Sequence, residues 1–420
     1  MKWLIINNNS SANRGDAAIL QGLLEMIKDS DPKADFYIFS NFPDVAKKIH
    51  GLNGSTSYLR VYSRKRLPLD LVKFFMLYVW SIFRRYLKID AKFIFSKRAK
   101  DYLAKIDWAD CVVSVGGAYI NDNYRPGTLG RLLELYFIKR VQKPVLLIGH
   151  SIGPFNVKFY RYLTSFILNR VDLITTRDKS SLSQLREIGV VKPKIVQTAD
   201  TAFYLAKQLG FSQRKVDRLW NDEGITTNRQ PIVTVSVRKW RFFEGNAINS
   251  HEIFVEKMAE ICDRVIKNTG AQIVFLSTCT DLGGYAMDDR KTAQQVIGKM
   301  KLGHSARIFM AELTPLELIS IYQRASMHIG TRMHSNILAM MAGVPCVGIA
   351  YEFKTKDLFE MMGFSDSMVD INNFGVDMLS KIFMNAWKQR DSLRRKIKKS
   401  VEIQYKKTQE NISLIKNYVR

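Results

Sequence analysis

Gly330-Thr331-Arg332-Met333-His334-Ser335-Asn336-Ile337-Leu338-Ala339-Met340-Met341-Ala342-Gly343-Val344-Pro345-Cys346-Val347-Gly348-Ile349 is the stretch that sets the fold class. A short apolar run, residues 327–329, leads into a turn at Gly330. Thr331 offers a cap, an apolar helix follows with no breaker before Gly343, and residues 344–349 read as a second buried strand. The unit is therefore strand, turn, helix, strand. Its turn gathers backbone donors, the Arg332 guanidinium and the His334 imidazole within four residues, the groups needed to bind an anion and move a proton beside it. The plainer account makes Arg332 a surface ion-pair partner and His334 a satisfied buried imidazole.

The same rhythm runs on both sides of that unit. Residues 232–237 read as a strand ending at Arg238-Lys239-Trp240-Arg241, and residues 251–267 as a long amphipathic helix. Residues 271–276 read as a strand ending at Ser277-Thr278-Cys279-Thr280-Asp281, with Asp288-Asp289 capping the next helix. Thr314-Pro315-Leu316-Glu317 is a capping box with proline at the first helical position. Upstream, residues 2–7 read as a buried strand, residues 8–16 as a polar loop, and residues 17–27 as a helix. Further strand tips carry Gly116-Gly117 with Asn121-Asp122, Gly149-His150-Ser151, Arg177-Asp178 and Thr198-Ala199-Asp200. Two successive arrays of this kind predict an α/β protein with two Rossmann-like lobes facing a cleft. Residues 1–205 form the first lobe, 206–230 a polar hinge, 231–385 the second lobe, and 386–420 a basic helical tail.

Length agrees, since 420 residues exceed one ordinary core. The net charge of +25 points either to a solvated basic surface or to an anionic partner. Outside residues 60–105 the basic residues are not interleaved with aromatics, which argues against nucleic acid. There is no Walker lysine, kinase signature or acidic metal cluster, which argues against Mg²⁺-dependent nucleotide chemistry and a metal site. Cys111, Cys262, Cys279 and Cys346 lie far apart and read as buried thiols. The N-terminal apolar run is too short for a signal peptide, and no stretch reaches the roughly 18 apolar residues of a membrane span. A cytoplasmic location is expected. Within residues 60–105, the apolar and aromatic run 71–83 is flanked by Arg64, Lys65 and Arg66 and by Arg84, Arg85 and Lys88. Two accounts fit it: a helix lying on the anionic inner face of the plasma membrane, and a helix buried against its own domain.

Five motifs carry a resemblance. Asn13-Arg14-Gly15-Asp16-Ala17-Ala18-Ile19-Leu20, Val115-Gly116-Gly117, Ile148-Gly149-His150-Ser151-Ile152-Gly153-Pro154-Phe155, Leu276-Ser277-Thr278-Cys279-Thr280 and Gly330-Thr331-Arg332-Met333-His334-Ser335 resemble the polysaccharide pyruvyl transferase family, nearest to its colanic acid type. The resemblance covers the chain to about residue 365; residues 60–105 and the tail match no motif. It implies a fold like the two-lobed GT-B glycosyltransferases. It also implies transfer of the enolpyruvyl unit of phosphoenolpyruvate to two hydroxyls of a glycan sugar, as a ketal, with no further cofactor. His334 and Arg238 would serve donor binding and catalysis.

The residues suit that chemistry. His334 is the candidate acid for the methylene carbon. Arg332 and Arg238 would hold the anionic groups, with Thr331, Ser335, Asn336, Ser277, Lys354 and Lys356 assisting. The first lobe would hold the acceptor, a glycan or lipid-linked oligosaccharide, through Asn13, Gly15, Asp16, Gly116, Gly117, Asp122, His150, Ser151 and Asp200. His150 is a rival proton carrier. Two other readings fit the same lobes: a GT-B glycosyltransferase using a nucleotide sugar, and a non-catalytic membrane-bound assembly factor.

Overall fold

The computed structural model describes residues 1–61, 64–208, 213–225, 230–239 and 250–419. The chain divides into two compact units: Met1–Ser11, Ile19–Tyr204 and Lys406–Arg420 form the first, Ala12–Ala18 and Leu205–Tyr405 the second.

The first unit is built on strands β1 (Lys2–Asn8), β2 (Asp35–Ser40), β3 (Gly54–Ser55), β4 (Cys111–Ser114), β5 (Gly117–Ile120), β6 (Val145–Ile152), β7 (Leu173–Thr176) and β8 (Lys194–Gln197). They pair in parallel in the order β3-β2-β1-β4-β6-β7-β8, with β5 on the C-terminal half of β6. A parallel sheet has its core on both faces, so its strands must be apolar at nearly every position. All eight residues of β6 are buried, as are six of the seven in β1.

The second unit carries β9 (Ile232–Ser236), β10 (Gln272–Phe275), β11 (Ala306–Ile308), β12 (Met327–Gly330), β13 (Cys346–Ala350) and β14 (Met368–Asp370). All pair in parallel in the order β11-β10-β9-β12-β13-β14. This is the doubly wound order, whose direction of winding reverses between the first and fourth strands, here β9 and β12. Gly330 lies opposite both Ser236 and Gly348, and Phe275 opposite Val235, so the carboxyl ends of β9, β10, β12 and β13 are level. The four cysteines are buried free thiols.

Three sequence expectations are corrected. Residues 12–18 do not belong with the first unit. Asn13 forms an antiparallel bridge with Cys279, the Arg14 amide donates to the Thr278 carbonyl at 2.6 Å, and the Thr280 amide donates to the Ala12 carbonyl at 3.2 Å. A loop buried here must pair its backbone groups, and it does so with the loop after β10. Residues 206–230 are not simply a hinge, because they contain the helix Gln213–Asp222, whose Trp220 is fully buried and meets Phe309 edge-on at 5.5 Å. Residues 209–212 and 226–229 of that span lie outside the described residues, as do Trp240 and Arg241. The tail, expected over 386–420 as one basic helix, is helical over Arg390–Lys416 and buries Ile397, Val401 and Ile415, but it divides between the units, residues through Tyr405 belonging to the second and Lys406–Arg420 to the first.

Candidate active site

The turn after β12 is bolted from within. Thr331 donates its hydroxyl to the Ser236 carbonyl at 3.0 Å. Asn336 Nδ2 donates to the carbonyls of Gly330 and Arg332 at 3.2 and 3.1 Å. Ser335 Oγ donates to the Arg332 carbonyl at 2.7 Å and lies 2.6 Å from Ser236 Oγ and 3.1 Å from His328 Nε2. Gly330 is required, since a Cβ there would come within 2.3 Å of Asn336 Oδ1. Thr331, Ser335 and Asn336, expected to face the donor, are therefore buried parts of the scaffold. A short polar residue at a helix start bonds nearby backbone when the turn is closed beneath a core. His328 serves the same scaffold, and burial pushes its pKa down to about 3, so its imidazole is neutral.

One side chain escapes this packing. Among residues 327–341 only His334 is not buried. It lies against the second unit's Ala12–Ala18 segment: a Cβ on Gly15 would come within 2.6 Å of His334 Cγ and Nδ1. Asn13 shapes that approach by accepting the Gly15 amide at 3.0 Å.

Charge collects beside it. Arg332 Nη2 donates to Asp289 Oδ1 at 2.5 Å, and Asp289 Oδ2 accepts the Cys279 amide at 3.0 Å. Burial opposes the Arg332 charge most strongly, but the Asp289 carboxylate, together with Cys279 and Tyr351, outweighs it and holds the guanidinium's pKa above its ordinary value. Arg332 is thus a paired interior cation, and its Nε is buried without a hydrogen-bond partner. Cys279 is raised to about 12, first by burial, and the charges that act on it are Arg332, Asp289, Asp16 and Arg238. These four groups consequently share one neighbourhood. Arg238, two residues past β9 and half-buried, places its guanidinium 4.5 Å from the centre of the Tyr351 ring at the end of β13. Tyr285 is raised by burial, with Cys279 and Asp16 adding to it. Ser277 is the one residue of 271–280 that is not buried.

Other residues are placed differently. Lys354 pairs with Glu352 at 2.5 Å, and exposed Lys356 pairs with Asp370 on the edge strand β14, away from the reversal point. Arg14 is buried against Glu312, which also accepts from Thr280 Oγ1 at 2.7 Å and Arg290 Nη1 at 3.1 Å. Asp289 and Tyr351 were not singled out by sequence as site residues. Asp289 reads there only as a helix-start carboxylate, and Tyr351 carries no signal beyond following a strand.

A family model described as polysaccharide pyruvyl transferase matches residues 13–352. The chain belongs to this family. As a pyruvyl transferase it is 27% identical over 377 residues to the amylovoran biosynthesis protein AmsJ of Erwinia amylovora, covering 89% of each chain. It is similar in fold to a putative UDP-N-acetylglucosamine 2-epimerase of Listeria monocytogenes, with TM-score 0.61 and 12% identity over 99% of this chain and 96% of that one. It is also similar to the HepE protein of Anabaena, crystallised with UDP-glucose, with TM-score 0.59 and 11% identity over 99% of each chain. These likenesses show a GT-B class fold.

In the transferase's first unit most of the expected acceptor residues are internal. His150 is fully buried, 3.0 Å from Ser114 Oγ, and burial pushes it down to about 4, so it is no proton carrier near neutral pH. Ser151 donates to Asp178 at 2.5 Å and accepts from Arg177 Nε, while Arg177 pairs with Asp200 at 2.6 Å. Asp122 accepts the amides of Asn156 and Val157 at 2.5 and 2.7 Å. A Cβ on Gly116 would strike the Gly149 carbonyl at 2.5 Å, and Gly117 has φ +148°. Asn13, Gly15 and Asp16 are in the other unit. Among the described residues, one open polar space of this unit is a cavity of about 140 Å³ at the ends of β1 and β2, lined by Asn7, Asn8, Ser40, Asn41, Arg60 and Glu134 among others. Glu134 is buried and raised to about 7 by desolvation, which outweighs its bonds from Ser57 and Tyr102. Asn8 Nδ2 is buried without a hydrogen-bond partner. Asn8 and Glu134 were missed because nothing in sequence brings residues 8, 40, 60 and 134 together.

Proposed function

We propose that the second unit binds phosphoenolpyruvate and that the protein transfers its pyruvyl unit onto two hydroxyls of a sugar in a cell-surface glycan. The observation that carries this reading is the accessible imidazole of His334 in an otherwise buried strand-turn-helix, packed against Gly15 and on the same turn as Arg332. Protonation of the donor's methylene by imidazolium makes C2 electrophilic, and the first hydroxyl adds there. That hydroxyl's proton passes to the now neutral His334 imidazole, and the second hydroxyl forms its bond to C2 as the C2–O bond to phosphate breaks, its proton leaving with the phosphate, to give the cyclic ketal and inorganic phosphate. Arg238 supplies a guanidinium fork for carboxylate or phosphate. Arg332, its charge already balanced by Asp289, offers Nε as a fixed donor rather than a free cation. The cavity of the first unit, with amide and hydroxyl groups beside Glu134, whose carboxyl burial raises to about 7, suits a hydroxyl-rich acceptor.

Thermal unfolding with millimolar phosphoenolpyruvate against equal inorganic phosphate tests the donor. A ligand that binds only the folded state raises the midpoint by mass action. A rise specific to phosphoenolpyruvate and lost in Arg238→Ala is expected, together with loss of phosphate release in His334→Ala. A rise with UDP-glucose and none with phosphoenolpyruvate would replace this reading with nucleotide-sugar transfer.

A further inference from the structure

Helix Leu67–Ile82 turns its apolar side the wrong way for a soluble protein. Leu69, Leu71, Val72, Phe75, Met76 and Phe83 are exposed, Phe75 to 63%. At about 100° per residue these positions fall on one arc with Pro68, and no charged or polar residue shares it. The opposite arc, with Leu77, Trp80 and Asp70, packs inward. Tyr86, Leu87, Ile89, Phe93 and Ile94 extend the surface, so eleven of the nineteen exposed large hydrophobics among the described residues fall between 69 and 94. Such concentration marks a docking surface rather than scattered exposure.

Charge selects the partner. Beside the arc's C-terminal end lies a cavity of about 400 Å³ lined by Ser81, Arg84, Arg85, Lys88, Arg140 and Gln142, with Val141. Arg84 pairs with Asp107 at 2.6 Å. Among the described residues Arg85, Lys88 and Arg140 pair with no carboxylate, and Arg140 Nε is buried without a hydrogen-bond partner. A second copy docking through the same face would bring these cations together, which like charges oppose. No helix of the described residues is long and apolar enough to cross a membrane.

We infer that residues 67–95 seat the protein on an anionic lipid bilayer, with the apolar arc at the acyl boundary and Arg85, Lys88 and Arg140 around a headgroup phosphate. An apolar arc bounded by basic residues is the pattern of a helix lying in the interface plane. The inference stands independently of the donor assigned above.

Flotation of the full chain with phosphatidylcholine vesicles, with and without phosphatidylglycerol, tests it. The wild type floats with the anionic vesicles and not with the neutral ones, and added salt weakens the binding. Val72→Asp with Phe75→Asp, and separately Arg85→Glu with Lys88→Glu, each weaken binding on the order of tenfold or more, while both variants keep the wild-type melting curve. Absence of flotation with either vesicle, or equal flotation of wild type and variants, overturns the inference. So does a wild-type dimer in sedimentation that Val72→Asp with Phe75→Asp makes monomeric without any vesicle binding, which would assign the surface to a second copy.

Discussion

At His334 the imidazole packs against a residue with no side chain, and the 2.6 Å approach of a built Cβ involves His334 Cγ and Nδ1, atoms close to its backbone. The ring cannot yield by moving only a flexible tip. Gly15→Ala therefore displaces the imidazole, and a displacement near 1 Å at a reacting group costs about a hundredfold in rate. Turnover should fall by that order while circular dichroism stays native, since alanine suits a helix start. Unchanged turnover would remove His334 from the chemistry. His334, Arg238 and Ser277 stand out in sequence because each follows a strand, and the structure leaves each of them at least partly accessible. Thr331, Ser335 and Asn336 were not separable from them by sequence, because a polar side chain at a helix start serves ligand and scaffold with the same chemistry. The pairing of Arg332 was equally hidden. Asp289 lies 43 positions away and meets it only because β10 and β12 flank β9. Asp289→Ala leaves that buried guanidinium without its counter-ion, a change of the kind that costs about 3–5 kcal/mol. The urea midpoint should drop accordingly, and Asp289→Asn should recover part of the loss.

At the scale of elements, strands were the easily read part, because a strand buried on both faces is a continuous apolar run. The helix Gln213–Asp222 was the opposite case. Its composition is mostly polar, and among its described side chains only Val216 and Trp220, one turn apart, are buried. Three apolar residues in ten, Val216, Leu219 and Trp220, still resemble a linker in sequence, yet one fully buried tryptophan is enough to anchor the helix. Trp220→Ala empties the space against Phe309 and should cost about 3–5 kcal/mol, as large aromatic truncations in cores do. Chemical denaturation measures this directly. A loss below about 0.5 kcal/mol, the range of surface changes, would make the segment a linker after all. Helix Leu67–Ile82 shows the limit of pattern reading from the other side: its sequence allowed both a buried and an exposed apolar face, and the structure has both.

For the whole molecule, alternation of strand and helix gave two arrays, but which array the Ala12–Ala18 segment joins was set by a pairing with Cys279 more than 250 residues away, beyond any local signal. Buried titrating groups are likewise a property of the assembled fold, and they make its stability depend on pH. His150 and His328 are pushed by burial from 6.5 to about 4 and about 3. Between those values and 6.5 the unfolded chain binds their protons and the folded chain does not, so stability falls as pH drops below about 6.5. Glu134 is raised by burial from 4.5 to about 7. The folded state then binds the extra proton, so its contribution is complete below about 4.5 and is lost as pH rises through 7. From about 4.5 to 6.5 two imidazoles outweigh one carboxyl and stability climbs with pH; from about 6.5 to 8 the remaining gain from the imidazoles and the loss from Glu134 nearly cancel, and the curve levels off. Calorimetry from about pH 5 to 8 should therefore show stability climbing to about pH 6.5–7 and then levelling off. Glu134→Gln should remove the opposing term, so that the acid limb becomes steeper and stability rises further before it levels off, changing the difference between the two proteins by on the order of 2 kcal/mol across that range. Parallel curves for wild type and variant would mean that Glu134 stays ionised in the folded protein, and that its cavity holds a carboxylate instead of a proton donor.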